Sequence, residues 1–98
     1  MIKVSVSKNK IEVTGHSEYD NIGKDIVCSA VSSIVTTTIN GIISIDSDAI
    51  SYEYYRDIME INILKHDEVT IKLINNMIDL LKSLSKDYPK NIKVKESV

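Results

Sequence analysis

The stretch GHSEYDNIGKDIVC, Gly15 to Cys28, holds the only cysteine of the chain and one of its two histidines, His16. A thiol and an imidazole brought together form a nucleophile with its base. The imidazole titrates near neutral pH, takes the thiol proton and returns it to a leaving group. From Asp25 onward the pattern turns helical, which places Cys28 in the first turn of a helix. Free backbone N–H groups and the positive end of the helix dipole there favour a thiolate, and the same groups can donate to an oxyanion. Asp25, one turn earlier, and Ser32, one turn later, share the face of Cys28. Asp25 is either a helix-start carboxylate or a group that orients His16. Ser32 is either a small polar helix residue or a hydroxyl lining a site.

The same residues have a plainer reading. A lone helical cysteine commonly serves as a buried small hydrophobe, and a loop histidine is commonly just solvated. His66 is a competing base, read as a surface residue. Tyr52, Tyr54 and Tyr55 are candidates to line a groove, although alternating tyrosines also suit ordinary sheet packing. Residue types and spacing leave both readings open.

The elements that must position these groups follow from periodicity. Ile2, Val4 and Val6 alternate with polar residues, as do Ile11 and Val13, so a β-hairpin is expected around Lys8-Asn9-Lys10. Gly15 ends its second strand, His16 stands at the exit, and Ser17 to Gly23 reads as a loop. Gly15 and Gly23 bracket that loop as candidate hinges. Val27, Val31, Ile34, Thr38 and Ile42 then form a helical stripe; Asn40-Gly41 is a candidate end for it, whereas Ile42, Ile43 and Ile45 suggest another turn. Ile50, Tyr52, Tyr54 and Met59, Ile61, Ile63 form a second hairpin through Arg56-Asp57. A two-residue turn there sets Glu53 against Glu60 and lacks the usual glycine, so its register stays open. Asp67 is the expected N-cap of a second helix, with Leu73, Ile74, Met77, Leu80, Leu81 and Leu84 facing inward. Tyr88-Pro89 stops it, and Asn91 to Lys95 forms a last short strand. The class is α+β: a small sheet of two hairpins plus a C-terminal strand, with two helices, in the order ββαββαβ. Residues 1–98 are read as a single domain.

At 98 residues, 43% hydrophobic and 27% charged, the chain has the proportions of one globular core. A net charge of -2 gives no global attraction to nucleic acid or anionic membrane, so neither is an expected partner. A single cysteine and no zinc-type spacing exclude an internal disulfide and call for no metal or other cofactor. MIKVSVSKNKIEV lacks a signal-peptide core and the longest apolar run is too short for a bilayer, so a cytoplasmic setting is expected.

Gly15-His16, Gly23-Lys24-Asp25-Ile26-Val27-Cys28 and Ser32 together resemble the motif of the ribosomal-processing cysteine protease family, bacterial enzymes known as Prp. The likeness continues through Thr38-Ile39-Asn40-Gly41 and Tyr88-Pro89. Ser29 stands where the family usually has Ala, and Arg56-Asp57 where it has Asp-Gly. The resemblance implies an endopeptidase with a Cys28–His16 dyad. Its substrate would be a large-subunit ribosomal protein precursor, from which it removes an N-terminal extension carrying paired aromatics before the cut and basic residues after it. It also implies a homodimer and a flexible loop between the two catalytic residues. In that setting the loop Ser17 to Ile22 is expected to close over substrate, with Tyr19 and Ile22 as its contacts. The rival expectation is a non-catalytic ribosome-assembly or interaction module in which Cys28 is structural.

Overall fold

The computed structural model describes residues 1–15 and 22–97, residues 22–25 by their backbone alone. The elements run β1 (Ile2–Val6), β2 (Lys10–Thr14), α1 (Ile22–Ile45), β3 (Ile50–Tyr55), β4 (Ile58–Ile63), α2 (Glu68–Asp87) and β5 (Ile92–Glu96), the expected order. The strands form one sheet in the order β3-β4-β2-β1-β5. β1 and β5 are parallel, and the other neighbours are antiparallel. Each helix is therefore a crossover between parallel strands: α1 carries the chain from β2 to β3, and α2 from β4 to β5.

Alternation along the strands decides which face the helices cover. Ile2, Val4, Ile11, Val13, Ile61, Ile63 and Ile92 are buried, while their odd-phase neighbours Lys3, Ser5, Lys93 and Lys95 are exposed. Against that apolar face α1 sets Val27, Val31, Val35, Ile39 and Ile42, and α2 sets Ile74, Met77, Ile78 and Leu81. The α1 stripe follows Val35 and Ile39, leaving the expected Ile34 and Thr38 half-buried; the Thr38 hydroxyl donates to the Ile34 carbonyl at 2.9 Å. On α2, Leu80 is exposed and Ile78 takes the inward place. Asp67 caps α2 as expected: its Oδ1 accepts from the Thr70 N–H at 2.8 Å.

α1 crosses Asn40-Gly41 unbroken. Between Ile26 and Ile45 it carries no charged residue and is long and apolar enough to cross a membrane, unlike the shorter apolar runs that the sequence suggests. In this fold its apolar stripe is spent on the sheet and α2, and its outward residues include Ser29, Ser32, Ser33, Thr36 and Thr37.

The second hairpin takes the register that its charges oppose. Glu53 stands opposite Glu60, and Glu60 opposite Glu12, so three carboxylates lie in one row on the outer face. Core burial overrides the repulsion, because a one-residue slip would turn Ile61 and Ile63 out of the core. Lys10, a strand residue rather than part of the turn, relieves the row. Its Nζ lies 3.1 Å from Glu60 and 3.2 Å from Glu12. Glu60 first, and then Glu12, raise the Lys10 ammonium above its usual pKa. Arg56 takes a left-handed φ of 53° at the turn, where glycine would ordinarily sit.

Candidate active site

Helix α1 begins at Ile22, earlier than its apolar stripe announces, and this moves Cys28 into the second turn. The unbonded N–H groups of the helix lie at its start, and the dipole effect fades beyond the first turn. The thiolate and oxyanion support expected from the helix terminus therefore sits one turn ahead of Cys28. Ile22 and Gly23, expected in the loop, are helical. Asp25 is helical as well and stands three residues ahead of Cys28; like those of Ile22 and Gly23, its side chain lies outside the described residues. His16 and Tyr19 also lie outside them.

What the fold shows of Cys28 is its footing. Its thiol is in no disulfide and is half-buried, packed on the edge of the core. Val27 and Val31 on one side are buried, whereas Ile26, Ser29 and Ser32 on the other are exposed. A fully buried cysteine would be inert; this one has a wall of aliphatics behind it and an open flank with hydroxyls in front. Ser32, one turn on, is solvent-exposed.

Gly15 shapes the approach to His16. It has φ 82°, and a Cβ built on it would strike the Met1 carbonyl oxygen. Both facts demand glycine: the backbone turns left-handed as it leaves β2 and runs tight against the N-terminal residue. β2 is the central strand, so the corner opens in the middle of the sheet edge. The Arg56-Asp57 turn lies at the same edge, since Thr14 pairs with Ile58 and Ile58 with Tyr55.

His66, the competing base, is exposed beyond β4, and its Nε2 lies 3.3 Å from the Lys8 carbonyl oxygen. Register puts it at the opposite edge of the sheet from Gly15, because Lys10 rather than Thr14 pairs near the end of β4. The tyrosines are not packed into the sheet. Tyr52, Tyr54 and Tyr55 are all about half exposed, with Tyr52 and Tyr54 on the helix-bearing face of edge strand β3. Their alternation is the mark of a strand; their exposure follows from β3 being the edge, where only Ile50 is buried. Among the described residues, no three His, Cys, Asp or Glu side chains cluster closely enough to hold a metal ion.

The family model described as cysteine protease Prp matches residues 1–93. The chain is similar to the ribosomal processing cysteine protease Prp of Mycoplasma genitalium, at 29% identity over 98% of this chain and 96% of that protein. It is 32% identical to the protein of the same name from Mycoplasma pneumoniae, over 94% of this chain and 91% of that one. Among solved structures, its fold is similar to that of an essential ribosomal processing protease Prp from S. aureus in complex with a substrate peptide. That match has a TM-score of 0.91 at 20% identity, and covers 99% of this chain and 100% of the other. The S. aureus protease with a covalently linked product peptide gives a TM-score of 0.86 at 21% identity, over 99% and 100% of the two chains.

Proposed function

The chain belongs to the cysteine protease Prp family, and from that premise we propose that Cys28 is its nucleophile and His16 its base. His16 takes the proton of the Cys28 thiol as Sγ attacks the scissile carbonyl carbon. The imidazolium then protonates the departing amine as the C–N bond breaks, leaving a thioester on Cys28. A water molecule, deprotonated by His16, hydrolyses the thioester and restores the thiol. Asp25 and Ser32 support the pair from the same helix face.

The observation that carries this reading is the footing of Cys28, half-buried against the core with its other flank open. Because Cys28 stands beyond the first turn, oxyanion donors come from backbone other than the free helix terminus. The substrate is the N-terminal extension of a large-subunit ribosomal protein precursor, processed in the cytoplasm. Ribosomal processing is what the names of the Mycoplasma relatives state of those proteins. Tyr19 contacts the substrate from the loop, and Ile22 from the first turn of α1. The enzyme works as a homodimer; the uncharged outward face of α1 is a surface suited to a second copy.

The test is Cys28→Ala and Cys28→Ser, incubated with the organism's own extended ribosomal protein and read by intact mass. Both variants are expected to leave the precursor uncut. Cleavage at the wild-type rate would overturn the protease assignment of Cys28. A lowered melting temperature with cleavage retained would instead mark a structural cysteine in an assembly module.

A further inference from the structure

The outer face of the sheet sorts its charges by strand. β3, β4 and β2 carry the row Glu53, Glu60 and Glu12; β1 and β5 carry Lys3, Lys93 and Lys95, with Ser5 among them. Lys3 stands directly opposite Lys93, and Lys95 is the next outward residue along β5. Like charges in facing positions oppose strand pairing. Among the other described lysines, Lys10, Lys65, Lys72 and Lys82 each close on a carboxylate, whereas Lys8, Lys86 and Lys90 do not. Lys3, Lys93 and Lys95 make no ion pair among the described residues. Together with Ser5 they line a shallow depression of about 220 Å³.

We propose that this patch binds the phosphodiester backbone of single-stranded nucleic acid. The net charge of -2 gives no reason for such binding, but the sorting of charge does. Strand geometry spaces the lysines by roughly 5 Å across β1–β5 and roughly 7 Å along β5, within reach of successive phosphates on one strand. The acidic row confines the nucleic acid to the β1–β5 side and sets its path along the strands. No aromatic residue shares the patch, Tyr55 being at the far edge of the same face, so bases are not stacked and sequence is not read. A membrane surface fits less well, since no outward apolar side chain on β1 or β5 is available to insert. An acidic peptide would find charges but no apolar groove, whereas counterion release lets charges alone hold a polyanion. The patch is on the sheet face away from both helices, so a bound strand leaves Cys28 free.

The experiment is fluorescence anisotropy of a labelled oligouridylate across a salt series. Wild-type protein is expected to bind with a log–log salt slope of about -2, the value for three phosphates on a single strand. Lys3→Gln, Lys93→Gln and Lys95→Gln combined should weaken binding at least tenfold and flatten the slope. The charge-matched control, Lys72→Gln, Lys86→Gln and Lys90→Gln, should bind as wild type. Circular dichroism melts keep the test sound, because removing facing like charges should leave the melting temperature unchanged or raised. Equal weakening in both triple variants would overturn the proposal. So would wild-type binding to phosphatidylserine vesicles or to oligoglutamate without binding to oligouridylate.

Discussion

The two helices lie side by side on one face of the sheet, yet they are built on opposite plans. α2 is amphipathic, capped by Asp67, braced by the Glu68–Lys72 pair at 3.0 Å and tied to β5 through Lys82–Glu96 at 3.0 Å. α1 has no charge from Ile26 to Ile45, is rich in β-branched residues, and carries Cys28 on its margin. Intrinsic propensity is weak in such a helix, so packing must hold it. The contrast teaches a division of labour. α2 adds a cap and ion pairs of its own to its packing, while α1 depends on packing alone and keeps open the flank on which the proposed nucleophile stands.

The sharpest break between the helices is kinetic. Cys28→Ala should reduce peptide cleavage by about a thousandfold or more while changing the melting temperature little, because the site is only half-buried. Leu81→Ala, at a fully buried position of α2, should do the reverse. It should cost about 2–5 kcal/mol by denaturant titration, with cleavage per folded molecule retained. If Leu81→Ala instead abolished turnover in folded protein, the division would be wrong.

The helix starts differ too. Gly15→Ala forces a side chain into left-handed backbone against Met1 and should destabilise by about 2 kcal/mol or more. At the start of α2, hydrogen bonds from Thr70, its backbone N–H foremost, hold the Asp67 carboxyl below its ordinary pKa. A depressed carboxylate pKa stabilises the fold above the unfolded value of about 3.9, and that contribution fades as pH falls through the folded value. Melting temperature should therefore drop between neutral and acidic pH, and Asp67→Asn, which keeps the cap without the charge, should show a smaller drop. The smallest effect belongs to Gly41, which has open space where a Cβ would go. Gly41→Ala should stabilise α1 by about 0.5–1 kcal/mol in thermal melts, without touching turnover.

The same contrast explains what could be read from the residues alone. α2 was legible from Asp67 to Tyr88 because its cap, period and proline stop agree; only Leu80 and Ile78 exchanged places, both lying at the margin of a broad apolar face. The start of α1 was not legible, because Ile22 and Gly23 precede its apolar stripe and glycine argues for a loop. Three residues of error moved Cys28 from a helix terminus to a helix interior and changed its available donors. The second hairpin was legible as strands but not in register, since its outward charges and its inward isoleucines give opposite instructions. The candidate residues themselves stood out by type and spacing. The exposure of Tyr52 and Tyr54 did not, because it depends on which strand ends up at the edge.

The bridge from Lys10 to Glu12 and Glu60 has a consequence for how this sequence can drift. Two strands, β2 and β4, meet in that one lysine, so the positions are not free to change singly. Losing Lys10 first leaves three facing carboxylates with nothing between them; losing Glu60 first leaves a lysine that Glu12 can still satisfy. Replacing Glu60 first is therefore the less costly order of substitution.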